Sequence, residues 1–115
     1  MTISNVGLTR ITNLVTADLN DGKAGTGTTL PAVTDTDLQT AVSATEANVT
    51  VVAGSQSFSV THIVSSTVGN GSSLTEWQIR MNSETTQLHR VVTAAVAKTS
   101  SIEITKITLF DVAGE

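Results

Sequence analysis

The sequence contains no cysteine, few aromatic residues and few charges. Aromatic residues make up 3% of the 115 positions and charged residues 14%, whereas about a quarter of an ordinary soluble domain is charged. The absence of cysteine excludes disulfides, thiolate metal ligands and cysteine nucleophiles. We therefore expect hydroxyl and amide side chains to cover most of the surface, which then repels a neighbouring protein only weakly.

Basic residues and long apolar runs are also scarce. Six Lys and Arg against ten Asp and Glu give a formal net charge of −4. Because a surface that binds phosphates needs clustered cations, we expect no nucleic-acid partner. No apolar run approaches the roughly 20 residues that span a bilayer, and Met1 to Asn5 lack the basic start of a signal peptide. We expect no membrane partner, and synthesis in the cytoplasm.

β-branched residues are the most abundant type in the sequence. Thr, Val and Ile supply 21, 14 and 7 residues, and these types pack well on a pleated sheet but lose rotamer freedom in a helix. The length is that of one domain with one core. The sequence therefore predicts a single all-β domain over residues 1–115, an antiparallel β-sandwich or jelly-roll-like fold with one or two short helices near the N-terminus.

The helices are predicted in the first third of the chain. Apolar residues recur at spacings of three and four over residues 8–19, which predicts an amphipathic helix that begins at Ser4 or Asn5. Residues 20–31 predict a turn and then a flexible, glycine-containing loop. A second short helix is predicted over residues 35–42.

The rest of the chain predicts strands. One strand is predicted over residues 48–53. Period-two patterns predict further strands at about 57–68, 73–82, 87–97 and 101–111. Asn70-Gly71 predicts a tight hairpin turn, because both central positions favour positive φ. A second turn is predicted at 82–85. Trp77 is expected to be buried, with its face of the strand toward the core.

The last predicted strand contains a conflict in its pattern. Ile102 and Ile104 lie on one face, whereas Ile107 and Leu109 lie on the other. The apolar set therefore changes side within one strand. This predicts either a β-bulge near Lys106 or burial of both faces.

No residue set suits catalysis or a nucleotide. His62 and His89 are the only side chains that titrate near neutral pH, and they lie in separate strands without further ligands, so we expect both to be structural. No serine lies in a Gly-x-Ser-x-Gly elbow. The Gly25-Thr-Gly27 loop lacks the spacing of phosphate-binding loops. We assign no catalytic residue and no cofactor.

Acidic residues near that loop do not predict a metal site either. Asp18, Asp21, Asp35 and Asp37 lack the alternating spacing of a calcium loop, and helix caps or solvated turns explain them better. We assign no metal ligand.

Glu76 and Arg90 are the charged residues of most interest. They lie on adjacent predicted strands and can face each other across a hairpin, where an opposite-charge pair contributes about 0.2–1 kcal/mol. Two separately solvated side chains fit the sequence equally well.

Short motifs follow one another in a defined order along nearly the whole chain. They are Gly7 with the N-terminal helix, Gly25-Thr-Gly27-Thr-Thr-Leu-Pro31, Asp35-Thr-Asp37-Leu38, Glu76-Trp77, Leu88-x-Arg90 and Lys98-Thr99. This order resembles a family of small virion proteins of tailed bacteriophages. The chain departs from that family after the Glu-Trp pair, where Gln78-Ile-Arg80 replaces the common Gly or aromatic residues.

The resemblance implies a non-enzymatic structural subunit located in the virion, in a tail, fibre, collar or baseplate. A capsid decoration or cement protein is the alternative within this class. A carbohydrate-binding module and a small hydrolase represent other classes, although one Trp and no Tyr leave few rings for stacking on sugars. The implied partners are other virion proteins and further copies of the chain, with a trimer favoured.

Overall fold

The computed structural model describes residues 2–112. Within them lie one helix and seven strands, which are α1 (Asn5–Asp18), β1 (Leu19–Gly25), β2 (Ala41–Asn48), β3 (Thr50–Ala53), β4 (Ser57–Val64), β5 (Ser73–Met81), β6 (Thr86–Ala97) and β7 (Ile104–Asp111). Four strands form a first antiparallel sheet in the order β2-β1-β5-β6, and three form a second in the order β3-β4-β7. The predicted all-β, sandwich-like fold is confirmed.

The helix α1 begins where the sequence predicted. The Ser4 hydroxyl accepts a hydrogen bond from the Gly7 amide at 3.3 Å, which satisfies one free N–H group of the first turn. Thr12 is the buried residue of α1, whereas Val6 and Leu14 are 82% and 54% exposed. Part of the apolar surface of the helix therefore faces solvent. No helix among residues 2–112 has the length and apolar character needed to cross a membrane.

The segment after α1 differs from the prediction. The strand β1 occupies the start of the predicted loop, because β2 and β5 pair with it on both sides and satisfy its backbone. The predicted helix over residues 35–42 is wrong. The amides of Gln39 and Thr40 donate to the Glu76 carboxylate at 2.8 and 2.7 Å, so they are not available for helical hydrogen bonds.

Asn70-Gly71 does not form the predicted hairpin turn. β4 belongs to the second sheet and β5 to the first, so the chain crosses between the sheets at this point. Gly71 has a φ of +89°, but Asn70 does not have a positive φ. The Asn70 side chain instead donates to the Ser66 carbonyl at 3.1 Å. The other predicted turn, at residues 82–85, is confirmed and joins β5 to β6.

The core lies between the two sheets. Phe58, Val60, His62 and Val64 alternate along β4 and are all buried, as the period-two pattern predicted. Trp77 contributes from the first sheet and is 4% exposed, which confirms its predicted burial. The position of His62 among these apolar residues agrees with the structural role expected from the sequence.

The opposite face of β5 is buried as well. The sequence predicted that only the Trp77 face would be covered, yet Glu76 and Gln78 are 0% and 1% exposed. Backbone and side-chain groups of residues 26–40 cover this face and hydrogen-bond to both side chains. The first sheet is therefore packed on one side by the second sheet and on the other by an irregular loop.

The strand β7 is an edge strand with regular alternation. Ile107 and Leu109 are 62% and 76% exposed, whereas Ile104 and Phe110 are half-buried. Eight consecutive residues of β7 pair with β4 without a register shift. The bulge predicted near Lys106 and the alternative burial of both faces are therefore wrong, and two large apolar side chains point to solvent.

The two histidines make stability depend on pH. Burial lowers the pKa of His62, against the opposing effects of the Thr45 carbonyl and Asp21, and burial together with the charge of Lys106 lowers the pKa of His89. The unfolded chain, with ordinary histidine pKa values of about 6.5, takes up protons first as the pH falls. Stability is therefore complete above about pH 6.5 and decreases below it.

We expect the urea midpoint of the parent, followed by Trp77 fluorescence, to fall between about pH 7.5 and pH 5.5. The double variant His62→Gln/His89→Gln serves as the control, because it lacks both groups and its midpoint should stay nearly constant over that range. A parent midpoint that does not change with pH would contradict the prediction.

Candidate functional site

The carboxylate of Glu76 lies at the centre of the polar part of the molecule. Its residue is 0% exposed. One oxygen, Oε2, accepts from the amides of Gly27 and Thr40 at 2.8 and 2.7 Å, and the other, Oε1, accepts from the Gln39 amide at 2.8 Å and from Arg90 Nε at 3.0 Å. Four donors from three separate segments therefore surround one buried negative charge.

Arg90 extends this network toward the surface. The residue is 8% exposed, and its guanidinium donates to Glu76, to Asp35 Oδ2 at 3.0 Å and to the Thr29 carbonyl at 2.8 Å. In the register of β5 and β6, the residue directly opposite Arg90 is Gln78. Glu76 therefore contacts Arg90 as a diagonal neighbour. The predicted pairing of Glu76 with Arg90 is confirmed, and the alternative of two separately solvated side chains is wrong.

The two glycines of the loop are required by this close packing. A Cβ atom at Gly25 would lie 2.6 Å from Glu76 Oε2, and one at Gly27 would lie 2.5 Å from the same oxygen. Real Cβ atoms essentially never approach another atom so closely. The Gly25-Thr-Gly27 loop therefore packs around the Glu76 carboxylate. The space beside its glycines is filled and could not hold a phosphate.

The hydrogen bonds determine the ionisation of Glu76. Burial alone would raise the pKa of Glu76, but the amides of Thr40, Gln39 and Gly27, together with Arg90, outweigh it and hold the pKa below its usual value. The group is thus ionised at neutral pH. A general acid needs the opposite shift, so Glu76 is suited to binding these donors and not to proton transfer.

Asp37 forms a second polar contact beside the first. Its Oδ1 atom accepts from Gln78 Nε2 at 2.9 Å and from the Leu38 amide at 2.8 Å. Burial tends to raise the pKa of Asp37, but these hydrogen bonds and the charges of Lys23 and Arg80 lower it overall. Asp37 is therefore another ionised carboxylate that holds residues 26–40 against the sheet.

A small surface pocket opens above this network, with a volume of about 200 Å³. The residues that line it are Thr29, Asp35, Asp37, Gln39 and Arg90. Gln39 Oε1 accepts from the amides of Thr28 and Thr29 at 3.1 Å, so this side chain also stabilises the loop. Each charged group in the lining already has a partner in the chain. The charged side chains of the lining are therefore engaged in hydrogen bonds within the chain.

A second charged cluster lies at the other end of β1. Arg80 contacts Asp21 through two hydrogen bonds and Glu46 at 3.1 Å. Oxygens of Asp21, Glu46 and Glu84 lie within 4.8 Å of one another, which is a spacing that could hold a metal ion. The guanidinium of Arg80 already supplies the positive charge, and Glu46 and Glu84 are exposed. The cluster is explained as an ion-pair network.

The acidic residues considered as calcium ligands are separated by the fold. Asp18 is exposed at the end of α1, and Asp21 pairs with Arg80. Asp35 and Asp37 belong to the loop that covers the first sheet. Ion pairs and a side-chain hydrogen bond hold Asp21, Asp35 and Asp37, whereas the sequence interpretation was helix caps and solvated turns.

Lys98 is a buried residue that the sequence reasoning missed. It is 1% exposed, and its Nζ atom donates to Asn70 Oδ1 at 2.7 Å and to the Thr99 carbonyl at 2.9 Å. Its backbone amide donates to the Ser72 carbonyl, and its carbonyl accepts from the Gly71 amide, both at 2.9 Å. Lys98 thus joins the end of β6 to the crossover between the sheets. The Lys98-Thr99 motif was the one signal that pointed to it.

Removing the charge of Glu76 should destabilise the fold strongly. Glu76→Gln leaves the donors of Gly27, Thr40 and Arg90 facing a neutral amide, and loss of one member of a buried charged pair costs about 3 kcal/mol or more. Glu103→Gln is the matched control, because Glu103 is exposed and the same change there should cost at most about 0.5 kcal/mol. Urea unfolding measures both values. Equal, small losses would show that the buried carboxylate is dispensable.

Comparison with known proteins gives no identification. No protein-family model, no curated protein and no solved structure matches the chain. The functional argument therefore rests on the motifs of the sequence and on the geometry described above.

Proposed function

We propose that the protein is a non-enzymatic structural subunit of a tailed-phage virion. The observation that carries this proposal is the distribution of apolar residues. Among the described residues, twelve large hydrophobic side chains are exposed, whereas eight hydrophobic residues form the buried core. Eleven further hydrophobic residues are partly buried against that core, so the twelve exposed side chains are the apolar groups still available for burial against other proteins.

The overall dimensions support the same proposal. The chain has an accessible surface of 6526 Å², while a compact monomer of this mass has about 5,900 Å². Its radius of gyration is 14.9 Å, compared with about 13.4 Å for a compact domain of this length. The molecule is elongated, at 47 × 26 × 25 Å. The excess surface is available for contacts within an assembly.

The polar network argues against the enzyme alternative. The ionised carboxylates of Glu76 and Asp37 and the guanidinium of Arg90 have their hydrogen bonds within the chain. Catalytic groups are instead recognised by pKa values near the working pH and by a free reacting atom. Several residues of the motif order meet in this network, so they are best explained as determinants of the fold. They are Gly25, Gly27, Asp35, Glu76 and Arg90.

The aromatic residues argue against the carbohydrate-binding alternative. Trp77 and Phe58 are each 4% exposed, and Phe110 stacks on Phe58 with ring centres 4.8 Å apart. These three residues are all the Trp and Phe of the chain, and Tyr is absent. Sugar-binding surfaces use exposed rings as stacking platforms. The described surface offers no such ring from Trp, Phe or Tyr.

The motif order favours a tail, fibre, collar or baseplate position, and a capsid decoration protein remains the second candidate. We expect quantitative mass spectrometry of gradient-purified virions to find the chain at a fixed copy number relative to the major capsid protein. A handful of copies would support the tail-associated position, and hundreds would support decoration. An abundant host cytosolic protein is the control for carry-over. Absence of the chain from purified particles would contradict the proposal.

Loss of both histidines should leave the structural role intact. We expect His62→Gln/His89→Gln to enter particles as well as the parent, because both rings act through packing and a hydrogen bond to a carbonyl. Circular dichroism checks that the variant is folded. If the folded variant lost a hydrolytic activity that the parent possesses, the enzyme alternative would replace our proposal.

A further inference from the structure

The two sheets present four edge strands, and three of them are poorly suited to pairing with another chain. The strand β3 has only four residues. The pairing of β2 with β1 contains a register shift, and that of β6 with β5 contains two. Short strands and bulges are the usual means by which proteins prevent edge-to-edge association.

The strand β7 is neither short nor interrupted, and its one lysine, Lys106, directs its Nζ atom to Thr108 Oγ1 at 3.5 Å. Its eight residues pair with β4 on one side in an unbroken register, and it ends the order of the second sheet on the other side. A regular edge of this length presents a row of N–H and C=O groups in register for a further strand. It contains no proline or glycine that would prevent pairing.

The outward side chains in the middle of β7 are apolar or hydroxylic. Ile107 and Leu109 are 62% and 76% exposed, and Thr105 precedes them on the same face. The neighbouring strands continue this surface with Ile63, 43% exposed, and Val52, 66% exposed. Asp111, at the end of β7, is the charged side chain on this face of the strand. The apolar side chains of this face, which the sequence predicted to be buried, are thus exposed in the single chain.

A second copy of the chain fits this edge. In an antiparallel pair related by a twofold axis through the sheet, directly opposite residues lie on the same face, so the register must be centred on a residue. Centring on Thr108 places Ile107 opposite Leu109 of the second copy. Centring on Lys106 would oppose two lysines, and centring on Ile107 would oppose Asp111 and Glu103. The register on Thr108 avoids both like-charge pairs.

We propose that two copies associate through β7, antiparallel and centred on Thr108, and join their three-stranded sheets into one six-stranded sheet. This inference rests on the proposed function, in which the chain assembles with other protein subunits. A twofold contact gives even-numbered assemblies, in contrast to the trimer that the sequence resemblance favours. A trimer would need two different edges to pair head to tail, and the other edges are short or interrupted.

The absence of cysteine allows the register to be tested by cross-linking. We expect a mixture of the single variants Ile107→Cys and Leu109→Cys to form a disulfide-linked dimer under mild oxidation, because opposite residues bring their Cβ atoms to about 4.5–5.5 Å. Each variant alone is the control. Its two cysteines would lie about two residues apart along the strands, beyond the reach of a disulfide, and should give at most a tenth of the product.

A charge on the edge tests the same contact without cysteine. We expect light scattering to give the parent twice the chain mass and Leu109→Lys at least a tenfold weaker association, because the substitution places a charge directly opposite Ile107 of the second copy and removes an apolar cross-strand pair. Val52→Lys is the matched control, since Val52 is equally exposed on β3 and its change should leave the dimer intact. Trp77 fluorescence verifies that each variant is folded.

The outcomes separate this inference from the proposed function. A trimer, a dimer insensitive to Leu109→Lys, a monomer, or a mixture that cross-links no better than the single variants would each overturn the β7 contact. None of these results removes the chain from virions, which the copy-number measurement tests separately. A chain found in virions but monomeric in solution would leave the proposed function standing and would show that the β7 pairing between two copies is wrong.

Discussion

The ionised carboxylate of Glu76 is the interaction on which the arrangement of this chain depends. A buried charge without partners costs several kcal/mol, and here the cost is offset by donors from Gly27, residues 39–40 and Arg90. These segments are distant in sequence and meet only in the folded state. The charge is therefore stabilised only when all of them are in place, which makes formation of the loop over the first sheet cooperative with pairing of β5 and β6.

This network also explains how a mostly polar segment, residues 26–40, can cover the outer face of the first sheet. The sandwich core between the sheets is apolar, but the outer face of β5 is covered by residues 26–40, which carry few large hydrophobic side chains. Hydrogen bonds to Glu76, Gln78 and Arg90 hold this loop where a helix would normally pack through apolar contacts. Large apolar side chains are instead left exposed along α1 and β7.

The parts of the fold that were predictable are those in which local pattern and burial agree. The alternation of β4, the burial of Trp77 and the capped start of α1 followed directly from the sequence. The strand β1 did not, because Asn20-Asp21-Gly22 has the composition of a turn and becomes a strand only through pairing on both edges and the contact of Asp21 with Arg80. For β7 the error was of another kind. Its apolar pattern predicted burial, but Ile107 and Leu109 are exposed, because a single chain need not cover every large apolar side chain.

The sequence pointed to the pair of Glu76 and Arg90 and assigned no functional site, and the geometry around the pair was not predictable. The motifs singled out Gly27, Asp35, Glu76, Arg90 and Lys98. Most of the donors to Glu76 are backbone amides, which leave no mark in the sequence except the glycines that permit their approach. Lys98 was missed as a buried group because its partners are an amide oxygen and a carbonyl, so no acidic residue indicated its position.

The position of Trp77 gives the molecule an internal optical probe. It is the one indole in a chain without tyrosine, and its Nε1 atom donates to the Thr93 hydroxyl at 3.0 Å within the core. The ring of His62 meets it edge-on, with ring centres 6.4 Å apart. An imidazolium quenches indole emission more strongly than a neutral imidazole does. The emission intensity of the native protein therefore reports the protonation of His62 from inside the sandwich, with no label and no background from surface rings.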